Sequence, residues 1–89
     1  MSPDNLERDL KKFITEELLI DPSLELDDND ELLLEGLIDS LGATRLVGFV
    51  ETTRGIEVPP QDVIVENFGT VALVARYIRS QEASQSGSA

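Results

Sequence analysis

The sequence has no cysteine, no histidine and no tryptophan. Without cysteine, neither a disulfide nor a thiolate metal site can form. Without histidine, the usual general base and the commonest metal ligand are missing, and with them every Ser-His or Cys-His dyad. Aromatic residues make up 4% of the chain, so a core must be aliphatic. Basic residues are scarce too: seven stand against eighteen acids, for a net charge of −11. That balance argues against nucleic-acid binding, which depends on neutralising phosphates, and against anionic membrane surfaces. No apolar run approaches the ~18 residues of a membrane-spanning helix, and Met1-Ser2-Pro3-Asp4 does not read as a signal peptide. A soluble cytoplasmic protein is expected.

What is present fits one small domain. A chain of 89 residues buries roughly 60–65% of the surface that it exposes when unfolded. An apolar content of 40% supports folding rather than disorder. The charge is unevenly placed. No basic residue lies between Lys12 and Arg45, an interval that holds Glu16, Glu17, Asp21, Glu25, Asp27, Asp28, Asp30, Glu31, Glu35 and Asp39. Such a field steers basic partners, although acidic runs also simply aid solubility.

Taken in order, Pro3-Asp4 opens a helix whose stripe is Leu6, Leu10, Phe13, Ile14 and Leu18. Asp21-Pro22 is expected to stop it. A long connection follows from Ser23 to Asp39, anchored by leucines and with one helical turn near Glu31–Leu34. Asp27-Asp28-Asn29-Asp30-Glu31 invites comparison with a calcium loop but lacks the glycine at its sixth position.

The second helix starts at Asp39-Ser40, turns Ala43, Leu46, Val47 and Val50 inward, and ends at a left-handed Gly55. Gly48 within it serves close helix contact or leaves room inside the bundle. Ile56 to Pro60 is an extended connector with Ile56 and Val58 inward. A short helix from Asp62 to Phe68 supplies Val63, Ile64 and Phe68. Thr70 caps a fourth helix that buries Val71, Val74, Ala75 and Ile78. The expected fold is all-α: a small four-helix bundle of three main helices and a short third, with a long first loop. Residues 1–79 form the domain and residues 80–89 a flexible polar tail.

Ser40 is the residue with two readings. A serine beside an aspartate at a helix start is ordinarily a cap. Catalysis by Ser40 itself is excluded by the missing histidine and by the distance in sequence to Lys11 and Lys12. Chemistry at Ser40 therefore means modification by another enzyme. A phosphate ester on the first helical residue gains ~0.3–1 kcal/mol from the free amides and dipole. Glu35 and Asp39 oppose it, weakened by solvent and salt. Phosphorylation by a kinase would use the same physics.

Gly36-Leu37-Ile38-Asp39-Ser40-Leu41 resembles the attachment motif of acyl and peptidyl carrier proteins, roughly Gly-x-x-Asp-Ser-Leu. The likeness runs from about Leu6 to Ile78 and includes Gly55-Ile56-Glu57-Val58-Pro59, Phe68 and Thr70. The resemblance implies an acyl-carrier-protein-like fold. It implies a 4′-phosphopantetheine arm on Ser40, transferred from coenzyme A by a magnesium-dependent phosphopantetheinyl transferase. The arm's thiol then carries acyl or aminoacyl groups as thioesters. Asp39 is implied as cap and motif residue, Gly36 as the motif turn and Leu41 as a contact for partner enzymes, against a plain core role for Leu41. The protein is expected to be non-catalytic, a monomeric substrate for adenylating (loading) enzymes and for tailoring or condensing enzymes.

Departures from the pattern matter. Carriers of fatty acid synthesis bear acids where this chain has Gly42, Arg45 and Thr52, and Glu51 alone keeps that pattern. Arg45, Glu51 and Ile64 are the expected partner contacts, and Arg45 disfavours a basic partner surface at its place. The chain therefore looks like a free-standing carrier of a natural-product pathway, of non-ribosomal peptide or polyketide type. A fatty acid carrier is one alternative. The other is an acidic helical adaptor in which Ser40 is only a cap.

Overall fold

Four apolar residues spaced by four, Leu6, Leu10, Ile14 and Leu18, are all buried and lay down the first helical segment. In the computed structural model, which describes residues 5–21 and 23–87 with side chains as far as residue 84, helix α1 spans Leu6–Phe13. It continues directly into a π-helical turn over Ile14–Leu18. Glu7 and Asp9 in its first turn, and Lys11 and Lys12 in its last, complement the helix dipole. The Leu19 N–H closes the wide turn onto the Ile14 carbonyl at 2.8 Å.

Leu19 is then extended, so the helix ends before the expected stop at Asp21-Pro22. The reason is a tie from outside the helix: the Ile20 N–H crosses to the Leu37 carbonyl at 3.1 Å instead of continuing the ladder. Pro3-Asp4, expected to open the helix, and Pro22 lie outside the described residues.

The long connection is a series of turns, and the helical turn expected near Glu31–Leu34 is absent from it. A buried loop must find partners for its backbone. Here they come from the junction between the third and fourth helices. Leu32, fully buried, donates its N–H to the Gly69 carbonyl at 2.7 Å, and the Asp28 carbonyl accepts the Ala72 N–H at 2.9 Å. Leu26, Leu33 and Leu37 pack against the core, whereas Leu24 and Leu34 are exposed.

Helix α2 spans Ser40–Arg54, and Gly55 ends it in the left-handed conformation, φ 68°. Leu46 and Val50 are buried; Ala43 and Val47 pack at the edge of the core. Gly48 serves neither purpose expected of it, because it is exposed and a Cβ there would meet nothing within 4 Å. Gly42 is the close-packed glycine instead. The connector buries Ile56 and Val58 as expected.

A 3₁₀ turn at Pro60–Asp62 and a single-turn α3, Val65–Phe68, replace the continuous third helix. Proline at the turn's start and an extended Ile64 separate the two pieces. Phe68 is buried, but Ile64 is not a core residue: it is 45% exposed.

Helix α4 spans Val71–Gly87. Thr70 Oγ1 accepts the Leu73 N–H at 3.1 Å, and Val71, Val74, Ala75 and Ile78 are fully buried. The polar stretch expected as a tail from Ser80 is helical through Gly87. No proline interrupts it, and two ties hold its start. Arg54 pairs with Glu82 through two bonds of 2.8 and 3.0 Å, and the Gln81 amide donates to the Tyr77 hydroxyl at 2.9 Å. Ser88 and Ala89 lie outside the described residues. α1 and α3 pack against α4, and the π-helical turn packs against α2. Among the described residues there is no strand, and the fold is an all-α small bundle with a long first loop.

Candidate functional site

Gly36 has φ 68°, a conformation that side chains other than glycine's resist. Its N–H returns to the Leu33 carbonyl at 3.2 Å and turns the chain toward α2. Ile38 follows as a buried peg, 3% exposed, with its N–H on the Leu32 carbonyl. The peg fixes where the next residue stands. Asp39 is extended (ψ −176°), and its carboxylate accepts the Gly42 N–H at 2.7 Å. Asp39 is therefore the cap of α2, as the sequence suggested.

That assignment frees Ser40. It is the first residue of α2, exposed, and its hydroxyl makes no hydrogen bond among the described residues. Its carbonyl accepts the Thr44 hydroxyl at 3.2 Å. The N–H groups of Ser40 and Leu41 also make no hydrogen bond among the described residues. They lie at the positive end of the helix, where an anion is favoured. Gly42 keeps the arrangement tight: a Cβ there would come within 3.3 Å of Asp39 Oδ1 and of Ile38 Cβ.

Two depressions flank the serine. An open groove of about 530 Å³ is lined by Leu33, Ile38, Ser40, Ala43, Thr44 and Val63, with Asp39 at its rim. A smaller crevice of about 130 Å³ lies among Leu18, Asp39, Leu41 and Arg45. Leu41 is 69% exposed, which decides between a core and a surface role in favour of the surface.

The remaining expected partner contacts divide. Ile64, exposed, adjoins Val63 of the groove. Arg45 donates to the Glu17 carbonyl at 3.1 Å and pairs with the Glu17 carboxylate at 3.4 Å, so it binds the end of the π-helical turn. The Glu51 carboxylate is half-buried and accepts the Val58 N–H at 2.8 Å, holding the connector. Leu33, Ala43 and Val63 were not singled out as lining residues from sequence. Each is an apolar residue that reads as core, and nothing in spacing tells a groove wall from a core wall.

The acidic loop is internally engaged. Asp28 pairs with Lys11 at 2.7 Å, and this partner raises the Lys11 pKa. The Asp30 carboxylate accepts the Asp27 N–H at 2.8 Å, and the Asp27 carboxylate accepts the Asn29 N–H at 3.3 Å. Among the described residues no group of three or more acids is placed to hold a metal ion, and no helix is long and apolar enough to cross a membrane.

No curated protein matches the chain in a comparison of sequences. The family model described as the phosphopantetheine attachment site matches residues 8–78, from α1 through the Asp39 cap and Ser40 to Ile78 in α4. Its fold, its site and this match make one statement: the chain belongs to the phosphopantetheine attachment-site family and is a carrier protein that bears 4′-phosphopantetheine covalently.

Proposed function

We propose that Ser40 takes the 4′-phosphopantetheine arm, and that the protein carries acyl or aminoacyl groups for a natural-product pathway. One observation carries the first part. Within the matched family span, Ser40 presents an exposed hydroxyl with no hydrogen bond among the described residues, while Asp39 does the capping. The residues fit the group. The free amides of Ser40 and Leu41 face the place where the arm's phosphate attaches, and the groove beside Thr44 and Val63 can hold part of its length. When bound, the group supplies a thiol, which this cysteine-free chain lacks. The chain's own task is presentation. Ile38 and Asp39 hold the helix start, and exposed Leu41 offers an apolar contact to the transferase and to loading enzymes.

The exposed positions of α2 support the second part. They include Ser40, Leu41, Thr44, Arg45, Gly48, Thr52 and Thr53, whose one charge is positive. Glu51, the acid that kept the fatty acid pattern, is occupied by Val58. A partner that recognises a row of carboxylates on this helix finds none there, which favours partners outside primary fatty acid synthesis. The adaptor reading gains nothing from the geometry, since Ser40 is not the cap.

Incubation of the protein with coenzyme A, magnesium and a broad-specificity phosphopantetheinyl transferase tests the attachment. Intact mass should rise by one phosphopantetheinyl group in the natural sequence and stay unchanged in Ser40→Ala. A gain that survives Ser40→Ala overturns the assignment. Loading trials with an adenylating enzyme and amino acids, set against a fatty acid ketosynthase, then test the pathway.

A further inference from the structure

Phe13 of α1 and Phe49 of α2 are aromatic residues outside the buried core. Both are half-buried, and their rings stack with centroids 4.0 Å apart and planes 12° from parallel. Phe68, by contrast, is 1% exposed. The stack borders an open groove of about 320 Å³ whose rim carries Asp9, Lys12, Glu16 and Glu17. Three carboxylates thus face one ammonium. Lys12 lies 3.4 Å from Glu16, and both side chains are more than half exposed. Asp9's carboxylate has no hydrogen bond or ion pair among the described residues, and Glu17 is shared with Arg45 at 3.4 Å.

Aromatic faces and carboxylates attract the same kind of group. A guanidinium is planar, weakly hydrated and permanently charged. It can lie against a ring while donating to a carboxylate. The groove shares a wall residue with the crevice beside the motif: Glu17 lines both it and the crevice among Asp39, Leu41 and Arg45. The exposed face of α2 offers a partner no carboxylate of its own, so the negative charge on this side comes from α1 and its π-helical turn.

We propose that this groove receives an arginine side chain of a partner protein docked at the Ser40 end of the bundle. The guanidinium sits against the Phe13–Phe49 stack and among Asp9, Glu16 and Glu17. The inference rests on the carrier reading only for where the partner's main contact lies; the groove itself is independent of any modification of Ser40.

The test uses the full chain and two synthetic tripeptides, acetyl-Gly-Arg-Gly-amide and its citrulline counterpart, which has the same shape without the charge. Nuclear magnetic resonance titration should move the ring signals of Phe13 and Phe49 and the amides of Glu16 and Glu17 saturably with the arginine peptide. The citrulline peptide should bind about two- to fivefold more weakly. Asp9→Asn combined with Glu16→Gln, both at exposed positions and checked for a folded spectrum, should remove most of that difference. Phe49→Leu, checked for a folded spectrum, should weaken both peptides.

Two outcomes overturn the proposal. One is equal binding of the two peptides. The other is a set of shifts centred on the acidic loop at residues 25–35 with the phenylalanine signals unmoved. Repeating the titration on Ser40→Ala separates the claims, since the groove should bind equally well whether or not Ser40 is the attachment residue.

Discussion

Asp39 and Ser40 are neighbours with opposite duties, and substitution should separate them. Asp39→Ala removes the acceptor for the Gly42 N–H and should cost about 0.5–2 kcal/mol in urea denaturation. Ser40→Ala removes a hydroxyl without a hydrogen-bond partner among the described residues and should change stability by less than about 0.5 kcal/mol. The two glycines of α2 should part in the same way. Gly48→Ala meets open space and should stabilise by roughly 0.5–1 kcal/mol through helix propensity. Gly42→Ala must push against Asp39 and Ile38 and should fall well short of that gain, as thermal melts of the pair will read. The cap was legible in sequence because capping is local chemistry. The different roles of Gly42 and Gly48 were not, because they depend on what lies across space from each.

At the scale of elements, the cross-chain ties decide where helices begin, end and meet. Arg79 of α4 grips Glu7 of α1 through bonds of 2.6 and 2.9 Å. The bonded guanidinium holds the Glu7 carboxyl below its ordinary value of 4.5. A carboxyl with a lowered folded pKa stabilises the protein above its unfolded pKa. The contribution is lost as pH falls through the folded value. Both side chains are a third or more exposed, so the effect should stay below about 1 kcal/mol. Glu7→Gln should accordingly be the less stable protein near neutral pH, and urea melts at about pH 3 should bring the two together. A difference that persists in acid would contradict the ion pair.

The helices themselves were readable from apolar spacing, which is why α1, α2 and α4 lie where periodicity puts their buried residues. The π-helical turn at Ile14–Leu18 and the docking of the loop on Gly69 and Ala72 were not. The docking rests on hydrogen bonds between segments far apart in sequence, whereas the π-helical turn closes locally, Leu19 N–H onto the Ile14 carbonyl, and buries Ile14 and Leu18 at the same spacing as an α-helix. The helical continuation through residues 80–87 was missed for a related reason: a polar composition suggested a tail, while Arg54 and Tyr77 supply partners for Glu82 and Gln81 from outside it.

For the molecule as a whole, a net charge of −11 governs encounter more than stability. Association with the phosphopantetheinyl transferase should slow several-fold between low and physiological ionic strength. A stopped-flow rate indifferent to salt would remove the steering role. The structure refines where that charge acts: Asp28 is tied to Lys11 and Glu17 to Arg45, and the exposed face of α2 is nearly free of charge. The family was legible because motif, acidity and helix order converge on one chain; the partner surface was less so, since it depends on which side chains the fold turns outward.

The most direct test of the account is the position of the arm itself. After enzymatic loading, the protein is digested and its peptides are sequenced by tandem mass spectrometry. The phosphopantetheinyl group is predicted on Ser40. Finding it on Ser23, Ser80 or any other serine, or finding the Ser40 peptide unmodified in a loaded protein, would contradict the account.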